Sequence, residues 1–176
     1  RDSLCAVLCV GFGVAAPIQA QEAVQVSVAP DAGPAIGPET NRPLPRYVSL
    51  KASEANVRRG PSLSHRIDWV FQRKGMPLQV VAEYGHWRRV IDRDGLGGWV
   101  HYTMLTGART VIVAQDRLLL HARATIESRE TAELELDVVA RLRSCEAGWC
   151  EITAGGYKGW APKTSLWGVD ALETPN

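Results

Sequence analysis

Four kinds of side chain in this sequence could do chemistry or grip a ligand: four histidines, four cysteines, six tryptophans and an unevenly placed set of arginines. The histidines His65, His86, His101 and His121 are far apart in the chain, and no His-Glu-x-x-His, Gly-x-Ser-x-Gly or phosphate-cradling glycine loop accompanies them. Cys145 and Cys150 flank Glu146-Ala147-Gly148-Trp149. That is a hairpin spacing, which sets two strand residues opposite each other within disulfide reach. It is not Cys-x-x-Cys, and no second mature cysteine pair or close histidine pair is present to complete a zinc site. With these two thiols oxidised no thiol nucleophile is left. A non-enzymatic chain without metal or cofactor is expected.

Binding is the remaining chemistry. Trp87 lies beside Tyr84 and a pair of arginines, a combination able to stack on a ligand and to meet its charge. Arg58, Arg59, Tyr84, Trp87, Arg89, Trp99 and His101 are the ligand-contact candidates, although Trp99 reads more readily as packing. Residues 46–109 carry eleven Lys or Arg against five Asp or Glu, whereas residues 110–176 carry seven against ten. The basic set (Arg58, Arg59, Arg66, Arg73, Lys74, Arg88, Arg89, Arg93) suits an anionic partner, or attraction between a basic and an acidic half of the chain.

The elements that must position these residues begin after a distinct leader. Leu4 to Ala16 is apolar, follows Arg1 and ends in Pro17-Ile18-Gln19-Ala20, the form of a signal peptide cut after Ala20. The run is shorter than the ~20 residues of a membrane span, and no later stretch qualifies, so no transmembrane segment is expected in the mature chain. Leucines precede Cys5 and Cys9 where a lipoprotein would carry small residues, so lipidation is not expected. Export to the periplasm or outside the cell places Cys145 and Cys150 in an oxidising compartment and disfavours nucleic acid as a partner. Residues 21–45 hold five prolines without a sustained period and read as a solvated linker; residues 171–176 read as a tail.

Between them the chain consists of short alternating runs cut by glycine, which predict small antiparallel strands. The runs repeat. Gly85-His86-Trp87-Arg88-Arg89-Val90-Ile91 is matched by Ala147-Gly148-Trp149-Cys150-Glu151-Ile152, and Gly97-Gly98-Trp99-Val100 by Lys158-Gly159-Trp160-Ala161. Two copies of one unit predict two small domains, over residues 46–109 and 110–170. The apolar connector Thr110-Val111-Ile112-Val113 is expected to pair as a strand and to hold the two together.

With Ala55-Asn56-Val57-Arg58-Arg59-Gly60-Pro61-Ser62, Gly85-x-Trp87-x-x-Val90 and Gly98-Trp99-Val100 in order, the first unit resembles the bacterial SH3-like domain family. The second resembles it more weakly, its opening motif having changed to Leu119-Leu120-His121-Ala122-Arg123-Ala124. The resemblance implies an all-β chain of two tandem SH3-like β-barrels, with Trp87 on a ligand face and Val90 in the core. It also implies an extracytoplasmic binding module for peptidoglycan or another cell-wall ligand, acting through the first barrel. A protein–protein adaptor and an accessory to a separate cell-wall enzyme are the alternatives. His101 and Met104 stand where peptide-binding SH3 domains carry proline and tyrosine, which argues against polyproline ligands.

Overall fold

The computed structural model describes residues 35–170; the leader and its Cys5 and Cys9 lie outside the described residues. A short ladder joins β1 (Ala35–Ile36) to β2 (Pro43–Leu44). The first large sheet contains β3 (Arg46–Leu50), β4 (Ala55–Arg58), β5 (Ile67–Phe71), β6 (Pro77–Tyr84), β7 (Trp87–Ile91), β8 (Gly97–His101) and β9 (Leu105–Thr106), in the order β5-β4-β8-β7-β6-β3-β9. The second contains β10 (Thr110–Val113), β11 (Leu118–His121), β12 (Glu130–Leu134), β13 (Val139–Glu146), β14 (Trp149–Ala154), β15 (Tyr157–Pro162) and β16 (Leu166–Trp167), in the order β12-β11-β15-β14-β13-β10-β16. Strand for strand these orders are the same, and a single 3₁₀ turn (Tyr102–Met104, Lys163–Ser165) precedes the last strand of each. No α-helix occurs among the described residues. The all-β, two-unit architecture expected from the repeat is present.

Alternation fills each core. Val57, Leu78, Val80, Val90 and Val100 are fully enclosed in the first unit, and Val111, Val113, Leu120 and Ile152 in the second. Each such side chain contributes roughly 1.5–3 kcal/mol over its exposed state. The connector is β10 itself: Val111 and Val113 enter the second core, while Thr110 grips the first unit. Thr110 donates its hydroxyl to the Gly75 carbonyl (2.6 Å) and its N–H to Ser49 Oγ (3.1 Å), and its hydroxyl oxygen accepts from buried Ser49 (2.6 Å). Around this knot Tyr47 meets Trp167 edge-to-face at 5.4 Å, Arg109 donates to the Gly168 carbonyl, Arg73 donates to the Asp137 carbonyl, and Arg93 pairs with the Asp137 carboxylate.

The paired tryptophan motifs owe their glycines to close strand approach. A Cβ on Gly98 would stand 2.7 Å from the Arg58 carbonyl oxygen and 2.8 Å from Val57 Cγ1; one on Gly159 would stand 2.6 Å from Thr131 Oγ1 and 2.8 Å from Leu120 Cβ. Both glycines let the hairpin that carries the tryptophans lie against the neighbouring strand. Cys145 and Cys150 oppose each other in the β13–β14 hairpin with Cα atoms 4.0 Å apart, and they form the expected disulfide.

The proline-rich stretch departs from the expectation of a solvated linker. Its last eleven residues fold back as the β1–β2 ladder, with Leu44 buried in the first core. The cause is Glu83, a carboxylate buried at the end of β6. It accepts from Arg46 Nη2 (2.6 Å), from the Thr40 hydroxyl (2.7 Å) and from the N–H groups of Glu39 and Thr40 (3.1 and 3.0 Å), and Arg88 Nε lies 3.5 Å away. Gly37 fits above it only because it has no Cβ, which would come within 2.5 Å of the carboxylate. Periodicity could not show this, because Glu39, Thr40 and Arg46 are 37–44 residues from Glu83.

Two outcomes are expected. Gly98→Ala forces backbone apart at β4–β8 and lowers stability by about 3 kcal/mol, read by urea denaturation; an unchanged midpoint would mean that the strands do not meet there. Burial disfavours the Glu83 charge, but the bonds from Thr40, Arg46 and the Glu39 and Thr40 N–H groups outweigh it and lower its pKa from 4.5 to about 2. A depressed carboxylate pKa gives stability that is complete above 4.5 and lost as pH falls towards about 2. Glu83→Gln should therefore be less stable than wild type by about 3 kcal/mol at neutral pH, and the gap should narrow across that acid window. A gap independent of pH would refute a charged Glu83.

Candidate functional site

The β6–β7 hairpin, the start of β4, the loop of residues 59–66 and the 3₁₀ turn enclose a groove of about 760 Å³ in the first barrel. Trp87 on β7 stands opposite His101 on β8, their rings 5.4 Å apart and nearly perpendicular. His86, in the hairpin turn, brings its ring to 5.9 Å from His101 and 5.6 Å from Tyr102, and its carbonyl accepts the Tyr102 N–H (2.9 Å). Histidines distant in the sequence are therefore neighbours in the fold. One wall of the groove is an aromatic and imidazole surface; Glu54, Asn56, Ser62 and Met104 contribute to the rest.

Arg58 lines the groove but is not a free cation. Its guanidinium donates to the Leu63 carbonyl (3.0 Å) and the His65 carbonyl (2.6 Å), fixing the loop that holds Leu63 over the groove at 76% exposure. Arg88, counted with the surface basic set, is buried instead. It donates to the carbonyls of Gly85 and Trp87 (2.8 Å each), lies 5.9 Å from the Tyr102 ring and faces Glu83. This one side chain ties the hairpin bearing Trp87 to the turn bearing Tyr102.

The other candidates fall outside the groove lining. Arg59 turns to Asp68 (3.6 Å). Tyr84, opposite Trp87 in the hairpin, is 64% exposed. Arg89 and Trp99 are cross-strand neighbours; Arg89 is exposed with no ion-pair partner among the described residues, and Trp99 is half-buried. Val100 enters the core, and Trp99 lies outside it. Arg66 pairs with Asp68, and Arg73 and Arg93 meet Asp137 of the second barrel, so most of the basic set is locally satisfied.

Sequence reasoning missed Leu63, His86, Glu54 and Asn56. A lone leucine inside the polar Ser62-Leu63-Ser64 turn was the available signal for the first. The site offers a stacking face, imidazole and amide groups for hydrogen bonds and one carboxylate. Among the described residues no three His, Cys, Asp or Glu side chains converge as metal ligands, and no helix is long and apolar enough to cross a membrane.

Comparison with curated proteins returns no match. Among solved structures the chain is similar to NlpC2 and NlpC1 from Trichomonas vaginalis, at 10% and 9% identity and a TM-score of 0.34 for each. It covers 69% and 74% of itself on 47% and 48% of those chains. It is also similar to an NlpC/P60 family protein from Bacillus cereus, at 15% identity and a TM-score of 0.32, over 68% of this chain and 55% of that one. The chain thus spans about half the length of these structures. The family profile described as bacterial SH3 domain matches residues 51–107 and again residues 114–168, stretches that hold all but the first strand of each of the two repeated sheets. With most of its length matched in this way, the chain belongs to the bacterial SH3 domain family, in two tandem copies.

Proposed function

We propose that the first barrel is a cell-wall binding module whose groove takes a peptidoglycan segment between Trp87 and the Leu63 loop. The family is one of binding rather than catalytic modules, and its cell-wall association together with the disulfide fits an extracytoplasmic protein. The observation that carries the proposal is the position of Leu63. A leucine held mostly in water by two hydrogen bonds from Arg58, over a groove walled by Trp87 and His101, is an apolar lip waiting for a ligand surface. Exposed Arg89 lies two residues beyond Trp87 on the same strand, where it adds attraction for ligand carboxylates.

A second reading has its own observation. β5 is an edge strand of its sheet, with Ile67, Trp69 and Val70 all exposed, a surface able to add a strand from a protein partner. Sedimentation with purified, insoluble peptidoglycan separates the two.

Wild type should be retained, and Leu63→Ser, which removes no core contact, should weaken retention about tenfold while leaving the melting temperature unchanged. Trp87→Ala should weaken it at least as much. Arg89→Ala should flatten the salt dependence, because exposed charge attraction is screened over ~8 Å at physiological ionic strength. Wild type left in the supernatant, or Leu63→Ser bound normally, would remove the first groove as the wall site and favour the edge-strand reading.

A further inference from the structure

The second barrel keeps the groove and changes its chemistry. Strand register gives the correspondence: Arg58 pairs with Trp99 and Ile67, as His121 pairs with Trp160 and Glu130, and Trp87 faces His101 as Trp149 faces Pro162. A cavity of about 540 Å³ lies among His121, Glu130, Trp149, Pro162 and Ile126. Ile126, at the tip of the loop between β11 and β12, is 74% exposed, and Leu63 at the matching tip is 76% exposed. The loop sequence has changed from Arg59-Gly60-Pro61-Ser62 to Ala122-Arg123-Ala124-Thr125, yet the apolar lip is present.

Two polar groups at this cavity, His121 and Glu130, can accept hydrogen bonds from a ligand. His121 is 6% exposed, its ring meets Trp149 edge-to-face at 5.5 Å, and Nδ1 lies 3.1 Å from the Ser128 carbonyl. A carbonyl only accepts, so Nδ1 carries the proton, and in the neutral ring Nε2 is an acceptor. Glu130 is exposed and has no hydrogen-bond or ion-pair partner among the described residues. Arg117 is the one cation among the lining residues, and a two-point pair with Glu133 (2.8 and 3.3 Å) occupies it. The Ser165 hydroxyl is donated to Gln115 Oε1 (2.8 Å). An aromatic face, an unpaired carboxylate and an imidazole acceptor in the acidic half of the chain complement a cation that can also donate hydrogen bonds.

We propose that the groove of the second barrel binds a peptide bearing a primary ammonium group, with the ammonium against Glu130 and the Trp149 face. This site is independent of the ligand assigned to the first barrel, and the two are tested by different residues.

The probe is the acetylated, amidated tripeptide Ala-Lys-Ala, titrated into the full exported chain while the tryptophan indole N–H resonances are followed by NMR. The control is the same peptide acetylated at its lysine ammonium. The free-amine peptide should shift the Trp149 resonance. Glu130→Gln should weaken it about fivefold, Glu130→Asp should retain most of the affinity, and the acetylated peptide should bind more weakly than either. Trp87→Ala should leave the titration unchanged, so failure of the wall-binding proposal does not touch this one. Equal binding of the acetylated peptide, indifference to Glu130→Gln, a shift confined to Trp87, or no shift at millimolar peptide would each overturn it.

Discussion

The groove of the first barrel rests on a buried carboxylate that it does not contain. Glu83 sits where burial alone would neutralise it, and it stays ionised because Arg46, the Thr40 hydroxyl and two backbone N–H groups converge on it. Removing either side of such an arrangement leaves an uncompensated charge, so its members are interdependent. Arg88 extends the arrangement towards the groove, since the same guanidinium that faces Glu83 holds the carbonyls of Gly85 and Trp87 and approaches the Tyr102 ring. The β1–β2 ladder, strand β3, the β6–β7 hairpin and the 3₁₀ turn are thereby fastened around one oxygen pair. The aromatic wall inherits its geometry from an ionic interaction on the opposite face of its own strand.

The second barrel has no counterpart of this carboxylate. Where the first places Glu83 and Arg88 in its hairpin, the second places Cys145 and Cys150, opposed across the ladder and joined covalently. Two different devices thus close the same hairpin in two copies of one fold. A small barrel buries too little surface to hold such a hairpin by packing alone, and a multi-partner ion cluster and a disulfide are alternative ways to fasten it.

Much of this was legible in the sequence, for identifiable reasons. The repeat showed because the motif glycines are dictated by backbone approach: Gly98 and Gly159 admit no Cβ, so both copies must spell glycine before tryptophan. The disulfide showed because a hairpin fixes which residues oppose. Strand alternation placed Val90 and Val100 in the core for the same reason. What stayed hidden depends on contacts between distant residues. Arg88 looked like a surface cation although hairpin register sets it opposite Glu83, because the groups that bury and charge-balance that glutamate come from far along the chain, and the proline-rich residues 35–45 looked solvated because their bonds go to that same glutamate. Histidines separated in the chain looked unrelated, although hairpin register sets His101 opposite Trp87 and thus beside His86.

The charge contrast between the halves has the same lesson in another form. Read as a field, it pointed outward to an anionic ligand; residue by residue, it is largely turned inward. Arg73 and Arg93 reach Asp137 across the seam, Arg66 and Arg59 hold Asp68, and Arg58 holds its own loop. Arg89 is left exposed on β7, and Glu130 is left exposed at the second groove. The seam itself is a closed hydrogen-bond circuit through Ser49, Thr110 and Gly75, in which each donor finds an acceptor without water. Opening such a circuit breaks its three hydrogen bonds together. The two grooves are therefore carried on barrels joined without a free linker, and their linings differ in polar chemistry.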